Sequence, residues 1–509
     1  MVFGGASLGR VSRRPGPWLD WIVPAGFGLA LALLTPWRTA FRFDMDEGFE
    51  LMKGLLVSRG HPLYGAFWND QPPLHTEVLA GLFRLFGPSG AVGRALSMSC
   101  AVLLVGTVYH LARRGSNRLA GLAAVGLLAS ASAFLSLSVS VMLELPAFAL
   151  GLAGVWLWVK GRESGRTGWF ALSGAVFGAA LQVKFTAAVL LPGMAVDFLA
   201  VRWRHPRRSM SPHHAVAEPG NEARPAGGIG WHQVLAWLGG AVGVFGLIMW
   251  LWYQPGTWAV FLGSHFSAGT VAGAVEQEVV FEWTMLQEDV GLVAAGLGGL
   301  ALLAGMRRRE ALLPAAWLLT VALVHQVHRP FWPYYRLHFA IPLAWLGGLG
   351  VVEGGRALWR RFPPRSRREW VGFGLGWLVW SLVVSAALTL APEKAWWELR
   401  RLRRAPLVAE EDRVAVLREL APRARWIFTE DRLSAFWAGL PIPPELAVIP
   451  RKRWWSGQIT PEEVRRCLER YRPELVLLEE WQVKRYELAP YLEAHYTPDP
   501  RHPEIHRRK

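Results

Sequence analysis

Cysteine is nearly absent. Two stand in 509 residues, Cys100 inside an apolar block and Cys467 in a distant polar region. No disulfide framework and no CxxC metal site can be built from them. The fourteen histidines show neither HxH nor HExxH spacing, which removes the common zinc motifs. No internal repeat occurs, against solenoids and doubled transporter folds. Charged residues make up only 18% of the chain, while 52% is hydrophobic. Basic residues exceed acidic ones by enough to give a net charge of +16. Such an excess suits nucleic acid, but its placement argues otherwise. Lys and Arg sit in short clusters between apolar blocks, as in proteins that hold a fixed orientation in a bilayer.

Those apolar blocks are long enough to cross a membrane, which takes about 20 residues as a helix. Hydropathy predicts about 11 transmembrane helices: roughly 18–37, 91–112, 118–137, 143–160, 168–184, 185–201, 232–253, 286–305, 311–328, 338–356 and 370–391. The first follows Arg10, Arg13 and Arg14, carries no A-x-A-like cleavage site, and reads as an uncleaved span. Alternate loops carry the basic clusters, including Arg113/Arg114/Arg118, Arg307/Arg308/Arg309 and Arg356/Arg360/Arg361. The loop from Gln254 to Asp289 has five acids and no Lys or Arg. The basic loops are therefore expected in the cytoplasm. The first outer loop, about 38–90, and the tail then fall outside.

Two units are expected: a multi-span membrane domain over 1–391 and a soluble extracytoplasmic α/β domain over 392–509. In the tail, 425–430 and 474–480 read as strands. Residues 460–471 read as a helix, with Thr460 as N-cap, Pro461 in the first turn and Glu463 completing a capping box. The stretch 205–230 has turn composition, and little structure is expected there.

The outer loop opens with FDMDEGFELMKGLL, residues 43–56. If it is helical, Asp46, Glu50 and Lys53 share one face. A solvated amphipathic helix on the membrane explains this equally well. Downstream, G-x-P-L-Y and W-x-D-Q-P-P-L lead to L-F-G and Arg94. This order resembles the first outer loop of the polyprenol-phosphate-dependent GT-C glycosyltransferases, a family that includes the protein mannosyltransferases and the lipid A aminoarabinose transferases. The segments LQVKFTAAVLLP (181–192) and HRPFWPYYRLHFAIPLAWLGGLG (328–350) are similar to later parts of the same family. The chain departs from it in two places. The aminoarabinose enzymes tend to Lys-Pro-Pro where Gln71-Pro72-Pro73 stands here, and there is no room for the β-trefoil of the protein mannosyltransferases.

The resemblance implies a GT-C fold and an inverting transfer of a sugar from a polyprenyl phosphate to a hydroxyl acceptor outside the cytoplasm. Asp46 then matches the general base, and Glu47 the motif's second acid, which positions the acceptor. The leaving lipid phosphate needs cations. Lys184 and Arg336 are the expected ligands. Arg94 is a further candidate, set against an interfacial snorkelling role. Glu144, at a span end without a nearby cation in sequence, is a catalytic candidate; a hydrated helix-end carboxylate is the alternative. Lys53 and Asp70 are candidate substrate contacts, although Asp70 equally suits turn stabilisation. Among the aromatics only Tyr335 is assigned to the sugar. No cofactor and no metal ligand are expected. The implied partners are the lipid-linked donor, a hydroxyl-bearing protein, lipid or glycan, and membrane lipid, with no nucleic acid. The setting is a prokaryotic plasma membrane. A flippase for lipid-linked sugars would want charges in mid-span and paired repeats. A non-catalytic assembly protein would leave the acid cluster unexplained.

Overall fold

The structure is a computed structural model that describes residues 20–202, 229–252, 254, 256–277 and 279–509. Most of the 205–230 stretch, the leading arginines and Glu278 lie outside these. Among the described residues the chain is mainly helical, with one small sheet.

Eight helices are long and apolar enough to cross a membrane, and three shorter apolar helices accompany them. The eight include Thr257–Glu276, part of the stretch read from sequence as an acidic loop. Its apolar residues are diluted by Gly, Ser and Thr, which keeps its hydropathy close to that of a loop. The helix Arg336–Arg361 is the hub. It buries 89% of its most apolar window, against 17% for the peripheral Arg367–Arg403. It packs closely on Val290–Gly305 because Gly350 lies against Gly299, where a Cβ would come within 2.5 Å of the opposing Cα. Small residues at such crossings let backbones approach where water cannot drive association.

The stretch read from sequence as the first outer loop forms two helices, Glu47–Ser58 and Leu74–Phe86. The tail carries four short strands: β1 (Ile427–Thr429), β2 (Leu475–Leu477), β3 (Tyr496–Pro498) and β4 (Ile505–Arg508). Their order is β1-β2-β4-β3. β1 and β2 run parallel, with Phe428 opposite Val476, and the helix Pro461–Tyr471 lies between them in sequence. The expected capping box forms, with Thr460 and Glu463 each bonding the other's backbone N–H. β4 pairs antiparallel with β2 and β3.

The tail does not stand off from the membrane helices. One hydrophobic core joins Leu51, Leu55, Leu79 and Phe83 of the outer loop to Leu433, Phe436, Ile442 and Val476 of the tail. Phe83 and Phe436 rings lie 5.9 Å apart. Gly48 makes the approach possible, since a Cβ there would meet the Leu433 backbone at 3.1 Å. Polar bonds fix the register of this interface. The Trp437 indole donates to Phe41 O at 3.0 Å, and Trp68 donates to Gln458 at 2.6 Å. Phe41 N also bonds Pro406 O at 2.6 Å. Each fully buried Leu or Phe contributes about 1.5–3 kcal/mol, so this shared core holds loop and tail as one body.

Candidate functional site

The expected site residues converge where the outer loop, several helix ends and the tail meet. They divide into three groups, according to how fully their polar atoms are used.

Glu47 and Arg94 form the first. Both are fully buried. Arg94 Nε and Nη2 donate to the two Glu47 oxygens at 2.7 and 2.8 Å. Its remaining donors reach Trp37 O, Ala40 O and Phe41 O at 3.0, 2.7 and 3.3 Å. A guanidinium has five N–H donors, and all are occupied. The Phe43 and Trp437 rings cover it at 4.8 and 5.5 Å. Glu47 also accepts from Val141 N at 3.2 Å. Arg94 thus has no donor left for a phosphate, and Glu47 no oxygen directed at an acceptor. The pair clamps the start of the outer loop to the membrane helices.

Glu50, Lys53, Asn69 and His75 form the second. Lys53 Nζ lies 2.6 Å from Glu50 and 3.3 Å from Asn69 Oδ1, with His75 3.6 Å from the other Glu50 oxygen. Burial pushes the Glu50 carboxyl up, but Lys53 and His75 outweigh it and hold it at about 2. Lys53 is therefore committed inside the loop.

The third group is less satisfied. Asp46 is the N-cap of Glu47–Ser58, yet its side chain caps nothing. Among the described residues its carboxylate accepts no hydrogen bond and has no cation within ion-pair reach. Burial raises its proton affinity, against the pull of Lys184, Arg432 and Arg451. Asp44 accepts from Asp46 N at 2.9 Å. Burial, then the neighbouring Asp46, pushes its carboxyl up to about 6. Lys184 sits at the turn between Thr167–Leu181 and Phe185–Leu190. It pairs with Glu144, and its ammonium faces the Tyr334 and Tyr335 rings at 4.8 and 5.2 Å. Glu144 is fully buried, with one oxygen lacking a hydrogen-bond partner. Lys184 lies in a different span from Glu144, so sequence proximity could not reveal the pair. Asp70 stands 3.7 Å from His265 and 3.9 Å from Lys452 of the tail. Burial raises Asp70, but Lys452 and His265 win and keep it below the usual carboxylate range.

Tyr335 is buried against this group, its ring 5.2 Å from His325 and 4.9 Å from His338. The two imidazoles bond each other, Nε2 to Nδ1, at 3.0 Å. Neither histidine carried a motif. Arg336, expected with Lys184 as a phosphate ligand, donates to Glu288 at 2.6 Å, and its Nε has no hydrogen-bond partner among the described residues. Two tail cations stand outside the expected site residues: Lys452, and Arg432, whose guanidinium lies 3.8 Å over the Phe49 ring. The basic-aromatic run Arg451–Trp455, which suits anionic headgroups, was the signal for Lys452; Arg432 carried none. Among the described residues no group of three His, Cys, Asp or Glu is arranged to hold a metal. At the opposite end of the helices a cavity of about 330 Å³ is lined by Arg114, Arg162, Asp197 and Arg309, among others.

The whole architecture matches solved structures. ArnT from Cupriavidus metallidurans in the apo state superposes with a TM-score of 0.60 at 14% identity, over 96% of this chain and 98% of that one. The chain carries the GT-C fold. The same protein bound to undecaprenyl phosphate matches with a TM-score of 0.59 at 14% identity, over 96% and 97%. Independently of structure, residues 70–217 match the dolichyl-phosphate-mannose-protein mannosyltransferase family model. No curated protein matches the sequence. The family match begins at Asp70 and spans Arg94, Glu144 and Lys184 of this GT-C chain. It therefore covers the helix ends that bring Glu144 and Lys184 together.

Proposed function

We propose that this GT-C protein is a membrane glycosyltransferase that moves a sugar from a polyprenyl phosphate to a hydroxyl acceptor on the extracytoplasmic side. The observation that carries the mechanism is Asp46: a carboxylate at the meeting point of loop, helices and tail with no hydrogen bond among the described residues and a raised proton affinity. A carboxylate so placed is a better base than a hydrated one. It removes the acceptor hydroxyl proton as that oxygen attacks the anomeric carbon. The new C–O bond forms on the face opposite the breaking C–O bond, and polyprenyl phosphate leaves with the bonding electrons. Lys184 balances the phosphate charge, held over the Tyr334–Tyr335 rings. Glu144 keeps Lys184 in place until the donor arrives, and its unbonded oxygen lets that pair re-form around a phosphate. Asp70 and Tyr335 border the sugar and acceptor. Arg336 is left to its bond with Glu288, and Glu47, Arg94 and Lys53 to the loop. The extracytoplasmic placement rests on the basic clusters, which lie at the other ends of the helices.

The fold likeness to a protein bound to undecaprenyl phosphate supports the donor class, as does the mannosyltransferase family match. The test uses purified protein with a panel of polyprenyl-phosphate sugars. Free polyprenyl phosphate released only when an acceptor is added supports the reading. Sugar lipid that crosses liposomes with no release would replace it with a flippase.

A further inference from the structure

Lys452 is a tail residue in an odd position. It is 7% exposed, on the short helix Arg451–Trp455. Among the described residues its ammonium makes no hydrogen bond. Its nearest carboxylate, Asp70, is 3.9 Å away, beyond hydrogen-bond reach. An ammonium has three N–H donors, and none of them is taken up by the described residues. The tail nevertheless holds the helix in place. Arg453 donates to Glu445 O and Val448 O at 2.9 and 2.8 Å. The Trp455 ring stacks nearly parallel on Trp332 at 6.3 Å and seats against Gly273. Neighbouring residues thus anchor the helix on both sides of a lysine that bonds nothing.

Lys184 faces the same segment from the membrane helices: its ammonium lies over the Tyr334 and Tyr335 rings, close in sequence to the Trp332 on which Trp455 stacks. The two ammonium charges repel each other, while Lys184 is held by its ion pair with Glu144. Two partly desolvated cations set to repel one another are stabilised by a shared anion. A phosphate monoester fits: its oxygens take charge-assisted hydrogen bonds from both. Asp70 steers Lys452 without using its donors.

Resting on the donor reading above, we infer that Lys452 is a second phosphate-binding cation, so that the polyprenyl-phosphate headgroup is held between Lys184 of the membrane helices and Lys452 of the tail. The tail is then part of the substrate site and not a cover over it. Losing one such charged contact is expected to weaken binding by about tenfold or more, since hydrogen bonds to charged groups exceed neutral ones.

The test measures binding of undecaprenyl phosphate, undecaprenol and inorganic phosphate to the full-length protein in detergent. It compares wild type, Lys452→Met and Lys452→Arg, with thermal unfolding as a check on each. Lys452→Gln substitutes if Lys452→Met does not fold. The inference expects undecaprenyl phosphate to bind the neutral variant at least about tenfold more weakly, Lys452→Arg to recover most of the loss, and undecaprenol to be unaffected. Undecaprenyl phosphate binding within twofold of wild type in Lys452→Met overturns it. If only inorganic phosphate binding falls, Lys452 serves a free anion, and the lipid assignment is overturned. If wild type itself ignores undecaprenyl phosphate, the donor reading fails first and takes this inference with it.

Discussion

Glu47 and Asp46 are neighbours in sequence, yet their surroundings are opposite. Glu47 shares two bonds with Arg94, and that arginine spends its other donors on backbone carbonyls. The Asp46 carboxylate accepts no hydrogen bond among the described residues, and the Lys452 ammonium of the tail likewise makes none there. A saturated buried pair has no capacity left for a ligand. A half-buried carboxylate such as Asp46, with no partner among the described residues, keeps its oxygens free. The comparison separates a saturated cluster from an unsaturated one within a single helical turn.

Breaking each half should give different results. The largest effect expected is on turnover. Asp46→Asn should cut transfer by about 10²- to 10⁴-fold, the usual worth of a positioned base, while the protein still binds lipid phosphate and unfolds at an unchanged temperature. A loss below about tenfold in a single-turnover assay removes Asp46 from that role. The saturated half should fail in the other way. Arg94→Met leaves the Glu47 charge buried and alone, at a cost of about 3–5 kcal/mol in stability, read from unfolding in detergent. An Arg94→Met protein as stable as wild type would mean the clamp carries no load.

The third prediction concerns pH. Asp44 has a folded value of about 6 against an ordinary 3.8. Between these values the folded state binds a proton that the unfolded state does not, so this group favours folding as pH falls. Its contribution is complete below 3.8 and is lost as pH rises through about 6. The stability of wild type relative to Asp44→Asn should therefore improve on acidification through that window. A difference independent of pH contradicts the buried, like-charged setting of Asp44 beside Asp46. The smallest effect is at the seam. Gln458→Ala removes the bond from Trp68 and should cost about 0.5–1.5 kcal/mol, seen as faster proteolysis of the tail with transfer nearly intact. Unchanged proteolysis would mean the apolar core alone holds loop and tail together.

The membrane helices were legible in sequence because bilayer thickness dictates long apolar runs. The stretch Thr257–Glu276 was not, since its small polar residues blur that signal. In the tail, β1, β2 and the capped helix between them announced themselves through apolar runs and Thr460-Pro461. β3 and β4 did not: Tyr496–Pro498 contains a proline, and Ile505–Arg508 is mostly basic. The site was half visible. Asp46 and Lys184 followed from the resemblance, but nothing local distinguishes Asp46 from Glu47. Arg94, which bonds both Glu47 oxygens and leaves Asp46 out, comes from a separate helix. Lys452 was invisible as a partner of Asp70 because docking of the tail, and no sequence spacing, brings them together. The bond from Arg336 to Glu288 was hidden as well, because only the fold brings that helix start beside Glu288.

The account turns on where the lipid phosphate sits, and a structure of the protein with undecaprenyl phosphate tests it most directly. The prediction is phosphate oxygens about 3 Å from the ammonium groups of Lys184 and Lys452, on the Asp46 side of the molecule, with the Glu47–Arg94 pair unbroken. A phosphate bound instead to Arg94, or in the cavity lined by Arg114, Arg162 and Arg309 at the far end of the helices, would contradict it.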